Sequence, residues 1–268
     1  MAAKQSQPST GQVELLEVLY KYRFSSRQLI AESLGIKAGS SLHERLAVVL
    51  KHEYVGMRLD KHLKLLGMPA AYHLTPKGLR ALQATPNHEF ITHTSIKSSY
   101  KDKSVGQSFI NHTMNVHKYT NRLKQHYPDL KVFTKREMNR YSYFPSQLPD
   151  AFLSLSTNES QQPKRLFLDL IPETLPSYQL DRRISSYSAY FDEGGWDVSG
   201  SELPTLLFLG ERAATERRIR RITNSVFRRT DAEELTVLTT TMPALHNSNE
   251  PVIWSGIEDP DELRSILA

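Results

Sequence analysis

At 268 residues the chain can hold two small domains, each large enough to bury a core. Hydrophobic residues make up 39% and charged residues 24%, and no apolar run approaches the ~20 residues needed to span a bilayer, which excludes a membrane-spanning role. The lack of cysteine excludes disulfides, zinc knuckles and thiol nucleophiles, while a net charge of +5 and a pI near 9.2 favour a polyanionic partner.

Residues 1–11 lack the apolar core of a secretory signal and read as a flexible tail, so a cytoplasmic, nucleoid-associated location is expected. A first helix over about Val13–Arg23 carries Val13, Leu15, Leu16, Val18, Leu19 and Tyr22, a broad face for packing. Ser25–Gly35 reads as a short helix, with Ser25 or Ser26 as its cap and Gly35 supplying a left-handed turn at its end. A second helix starts at Ser40 or Ser41 and runs to about Lys51. Its apolar positions Leu42, Leu46, Val49 and Leu50 make one face, and Ser41, His43, Glu44, Arg45 and Lys51 the other.

Tyr54–Leu59, a basic loop and Ala71–Leu74 then read as a β-hairpin. Thr75 caps the helix that follows, and Pro76 fills its first position. This order over residues 12–84 is that of a winged helix-turn-helix. Lys37, Arg45, Lys51, Arg58, Lys61 and Lys64 are candidate phosphate contacts, and Ser41, His43 and Arg45 are candidates for base edges. The competing reading is an adaptor or dimerisation module.

Residues 85–106 are polar and basic and read as a linker, whose Lys97, Lys101 and Lys103 could follow a DNA backbone. Residues 107–268 form the second domain. It opens with a helix over Gln107–Tyr127, whose histidines lack the spacing of a zinc helix. Strands are expected at Leu130–Phe133, Ala151–Leu155, Arg165–Ile171, Leu206–Gly210, Leu235–Leu238 and Val252–Trp254. Helices are expected at Ser177–Phe191, Glu211–Arg229 and from Pro260. The whole is α+β, with a mixed sheet flanked by helices in the second domain. The helix Glu211–Arg229 bears Arg217, Arg218, Arg220 and Arg221, a further candidate nucleic-acid surface.

Asp150 after Pro149, and Asp169 at the end of an apolar strand, are placed as in a metal-dependent nuclease. There two carboxylates converge on Mg²⁺ and a lysine follows two residues after the second acid. Strand alternation sets Arg165, Phe167, Asp169, Ile171 and Glu173 on one face, so Ile171 fills the lysine's place and cannot supply charge or a proton. Glu173 could replace a missing ligand, and Arg182 or Arg183 could bring in a cation. The plain structural alternative has Asp150 in a turn and Asp169 capping or paired with Arg182 or Arg183.

Four stretches carry a family resemblance: Val13–Leu34, Tyr72–Leu79, His112–Val116, and Leu148–Asp150 with Leu166–Asp169. On these the chain resembles the replication-relaxation family of mobile-element and plasmid proteins. The resemblance implies a winged helix joined to a restriction-endonuclease-like domain, here degenerate, with roles linked to plasmid replication or DNA relaxation. It matches Asp150 and Asp169 to the family's two acidic positions, with Ile171 departing where a charged residue often follows.

The expected function is therefore sequence-specific binding of double-stranded DNA in a plasmid, phage or other mobile element, for replication, transfer or transcription control. No cofactor is expected. One alternative is a nuclease in which Asp150 and Asp169 bind Mg²⁺, and another is a protein-binding scaffold. Expected partners are DNA, a second copy of the chain and other mobile-element proteins, with no membrane.

Overall fold

A computed structural model describes residues 8–59, 65, 67–156, 162–230 and 235–267, and the chain divides into two compact units, Met1–Asn121 and Arg122–Ala268. In the first unit, α1 (Thr10–Tyr22) starts three residues before the expected point, because the Ser9 amide donates to Gln12 Oε1 at 3.0 Å and tightens its first turn. Helix α2 (Arg27–Leu34) is capped by Ser26, whose hydroxyl accepts from the Leu29 amide, and ends on Gly35 at φ +64°. Helix α3 (Ser40–Lys51) buries Leu42, Leu46 and Val49 as its periodicity requires.

Strands β1 (Val55–Arg58) and β2 (Ala71–Leu74) form an antiparallel hairpin in the register Val55↔Leu74. Ser25, between α1 and α2, adds a third, one-residue strand. Its amide donates to Tyr72 O at 3.0 Å, and the Tyr72 amide donates back to Ser25 O at 2.8 Å. Helix α4 (Pro76–Gln83) follows, with the Thr75 hydroxyl accepting from the Gly78 amide at 3.0 Å. A Cβ at Gly78 would lie 1.9 Å from the Tyr54 carbonyl oxygen, so α4 reaches the hairpin only because this residue is glycine.

The stretch read as a linker is folded. It holds α5 (His93–Ser99) and a 3₁₀ turn over Tyr100–Lys103, and Ile91 and Ile96 enter the core with Leu15, Leu46 and Leu79. Burial of each isoleucine contributes about 1.5–3 kcal/mol toward fixing the segment, and Phe90 packs against the same core. Asp102 is buried and accepts from Arg23 Nε at 2.8 Å and Nη2 at 2.6 Å. Arg58 Nη1 donates to the carbonyls of Asp102 and Lys103, at 3.4 and 2.8 Å.

Helix α6 (Gln107–His126) begins in this unit, where Ile110 packs with Phe24 and Ala71. Its His117 is fully buried, stacks on Tyr22 at 3.6 Å and hydrogen-bonds Ser25 at Nδ1 (2.9 Å) and Ser33 at Nε2 (2.6 Å). This histidine is a structural tie between α6 and α2.

The second unit is built on a seven-stranded sheet: β3 (Lys131–Thr134), β4 (Ala151–Leu155), β5 (Lys164–Ile171), β6 (Thr205–Gly210), β7 (Val237–Thr241), β8 (Trp254–Gly256) and β9 (Leu263–Arg264), in that spatial order. β5, β6 and β7 are parallel, and the pairs on either side of them are antiparallel. Short α7 (Lys135–Met138) follows β3. The parallel crossovers are α8 (Ser177–Asp192) and α9 (Ala213–Thr230), and α10 (Met242–Asn247) follows β7.

One sheet face, with Phe152, Phe167, Ile171, Leu206, Phe208 and Val237, packs on Ile184 and Tyr187 of α8 and Ile219 and Val226 of α9. The helix expected from Pro260 is replaced by β9. Leu263 pairs with Ser255 and Arg264 with Trp254, so this stretch adds a strand at the sheet edge.

Candidate functional site

The two acids meet at the start of β4. Ala151 pairs with Leu168 in the antiparallel register, so Asp150 falls opposite Asp169. The Asp150 amide donates to Asp169 Oδ1 at 3.0 Å, and the Leu170 amide donates to Asp150 Oδ2 at 3.0 Å. Both acids are buried, Asp169 at 2% exposure. Because Asp169 shares a strand face with Phe167, it faces α8. There Arg183 Nε donates to Oδ2 and Nη2 to Oδ1, each at 2.5 Å, and the Tyr187 hydroxyl donates to Oδ2 at 2.8 Å. Arg183 Nη2 also reaches Leu148 O at 2.9 Å. On the other side, Lys135 Nζ donates to Asp150 Oδ1 at 2.6 Å.

Burial works most strongly against the charge on Arg183, but Asp169, Tyr187 and Asp150 together outweigh it and raise its affinity for the proton. Burial, then the same carboxylate, pushes the Tyr187 hydroxyl well above its ordinary value. Both groups stay protonated donors near neutral pH.

This arrangement does not fit Mg²⁺. An ionised carboxylate offers about four acceptor positions, and those of Asp169 meet Arg183 twice, Tyr187 and the Asp150 amide. A hard cation needs those oxygens open. Ile171 is buried in the core with Phe167 and Ile184. Glu173 is drawn elsewhere, its carboxylate 3.3 Å from Arg212. Among the described residues no group of three or more histidine, aspartate or glutamate side chains could hold a metal ion. Of the two candidate arginines, Arg183 is the one that pairs with Asp169.

Helix α9 sorts its arginines by face. Arg220 turns inward, its Nε donating to Thr239 at 3.0 Å and its Nη2 to Glu216 at 2.6 Å and to Ser255 at 2.5 Å. Arg218 lies along the chain after β5, donating to Pro172 O and Glu173 O, each at 3.3 Å. Arg217, Arg221 and Arg228 are exposed and recur at four- and seven-residue steps, so they share one face. Arg221 and Arg228 line a groove of about 650 Å³ with Asn224, Ser225 and Arg229.

In the first unit, Lys37, Ser41, His43 and Lys51 are exposed, the last three along the outer side of α3. Arg45 is half-buried and lies over Gly11 of α1, where an added Cβ would be 3.0 Å from its Nη1, so it is turned away from that outer side. Arg58 is committed to the carbonyls of Asp102 and Lys103. Lys61 and Lys64 lie outside the described residues.

A family model described as replication-relaxation matches residues 16–206, well over half of the chain. The chain belongs to the replication-relaxation family. No curated protein and no solved structure matches it. Membership is in keeping with a replication-related role in a mobile element. Among the described residues no helix is long and apolar enough to cross a membrane.

The family match spans both units and both acids, including the hairpin, α4 and the Asp150–Asp169 pair. Two positions in this replication-relaxation chain escape a reading by motif. Lys135 reaches Asp150 from 15 residues upstream, and only the pairing of β3 with β4, with Thr134 opposite Ala151, reveals it. Arg27, exposed on the first turn of α2, could have been found from its place just after the Ser26 cap.

Proposed function

We propose that this replication-relaxation protein binds double-stranded DNA through its first unit, as a winged helix-turn-helix, in the replication of a mobile element. The single observation that carries the reading is the Ser25–Tyr72 bridge. It joins the chain between α1 and α2 to the hairpin, making the small three-stranded sheet that braces a helix-turn-helix against its wing. With that brace, α3 presents Ser41, His43 and Lys51 outward, and Lys37 and Arg27 stand on the segments before it. Side chains of this size and polarity on an exposed helix suit the major groove and its flanking phosphates. On the second unit, the Arg217–Arg221–Arg228 face supports additional phosphate contact. Arg58 and Arg220 drop out of the contact set because their guanidiniums already hydrogen-bond within the fold, and Arg45 because it lies over Gly11 and away from the outer side of α3.

The test is a gel shift on duplex from upstream of the element's own replication gene, against random competitor, across a salt series. Competitor-resistant binding weakened by His43→Ala and Lys51→Ala is expected. Absence of binding at moderate salt would leave the protein-scaffold reading instead.

A further inference from the structure

We propose that the turn Asn139–Phe144 of the second unit is a stacking platform for single-stranded nucleic acid, with Tyr141 as its outermost ring. Tyr141 is 46% exposed. Its ring lies 5.6 Å from that of Tyr143, which stacks on Phe144 at 4.7 Å, and Phe144 in turn lies 6.1 Å from the buried ring of Trp196. The aromatic series therefore starts at the surface and ends in the core.

The turn and the residues just after it are tied to α8. The Tyr190 hydroxyl donates to Tyr143 O, Ser186 to Gln147, and Arg183 to Leu148 O. The Arg140 guanidinium lies 6.0 Å from the centre of the Tyr141 ring. Over Lys131–Arg140 the chain carries Lys131, Arg136 and Arg140 besides Lys135, which pairs with Asp150 at 2.6 Å, and the segment's own acid, Glu137, accepts from the Thr134 amide at 2.7 Å.

A pre-placed aromatic ring beside a cationic track is what unpaired bases on a phosphodiester chain require, since every base offers a π-face and every linkage a charge. In a duplex those faces are stacked inside and out of reach. The excess of positive charge from Lys131, Arg136 and Arg140 favours this ligand over a protein partner, which would meet Tyr141 without needing those cations. The proposal uses none of the residues of the duplex reading and stands apart from it.

The experiment measures fluorescence anisotropy of the full chain with labelled oligo-dT of about 20 nucleotides and with a duplex of the same length, at low salt. Tyr141→Ala is expected to weaken oligo-dT at least about fivefold and leave duplex affinity unchanged. Tyr141→Phe keeps the ring and is expected to bind oligo-dT within about twofold of the parent, because stacking acts through the ring face. Arg140→Ala is expected to weaken oligo-dT and to flatten its salt dependence. The proposal is overturned if oligo-dT fails to bind, if Tyr141→Ala binds it as the parent does, or if Tyr141→Phe loses as much as Tyr141→Ala. Oligo-dT binding that persists without duplex binding would sink the duplex reading and leave this one standing.

Discussion

Arg183 and Asp169 form a two-pronged pair, Nε on one carboxylate oxygen and Nη2 on the other, each at 2.5 Å. Both side chains are almost wholly buried, so the pair's attraction is little screened and neither partner can be rehydrated cheaply. Arg183→Met, which leaves the aspartate buried and unmatched, is expected to destabilise the protein by about 3–5 kcal/mol in urea denaturation. The double variant Arg183→Met, Asp169→Leu should recover much of that loss. If the single change is silent, the pair is not what holds α8 to β5.

Magnesium follows from the same geometry. A ligand that binds only the folded state raises the melting temperature as its concentration rises. With the acceptor positions of Asp169 filled by protein donors, millimolar Mg²⁺ is expected to leave Tm unmoved and DNA uncut. A Mg²⁺-dependent rise in Tm that disappears in Asp169→Ala would refute this.

The glycine at position 78 offers a test of the hairpin's packing. Alanine there would drive its Cβ against the backbone oxygen of Tyr54, an atom with no rotamer to relieve the clash. Gly78→Ala should cost roughly 1–3 kcal/mol or more, despite alanine's better helix propensity. Thermal unfolding of the variant would show whether α4 truly abuts that carbonyl.

Two neighbouring arginines on α9 should behave in opposite ways. Arg220→Ala removes hydrogen bonds to Glu216, Thr239 and Ser255, with an expected loss of about 2 kcal/mol in stability and none in DNA affinity. Arg221→Ala removes an exposed cation, so stability should stay within about 0.5 kcal/mol while the salt dependence of DNA binding falls by about one counterion. Equal effects of the two changes on DNA would contradict the sorting of faces.

Alkaline pH acts on the tyrosines of α8. Burial, with Tyr143 adding to it, pushes Tyr190 up to about 12, and Tyr187 is also raised well above 10. Between pH 10 and 12 the unfolded chain has released these protons and the folded chain has not. The stability they contribute is therefore complete below pH 10 and is lost as pH rises toward the folded values. Denaturation midpoints should fall over that window, and less steeply in Tyr190→Phe.

Much of this was legible in the residues. Gly35, the Thr75–Pro76 cap and the periodicity of Leu42, Leu46 and Val49 are local signals, and each element they predict is present. The opposition of Asp150 and Asp169 also follows from two neighbouring strands. What escaped depends on partners far along the chain. A helical wheel can show that Arg45 and Arg220 are polar positions, but not that Gly11, or Thr239 with Ser255, lies beside them. The segment 85–106 is polar on average, and its fold rests on Ile91, Ile96 and Asp102, each meaningful only once its burial site exists.

Arg23 and Arg58 both close on the turn at Asp102 and Lys103, and Arg23 lies 79 residues upstream of Asp102. On a ribosome adding about 5–20 residues per second, roughly 4–16 s separate the two ends of that clasp. Ile91 and Ile96 are made late in that interval, after α1, α3 and the hairpin whose core they join. Closure of this unit therefore waits on the synthesis of its last segment, and α1 emerges well before the residues that complete its core.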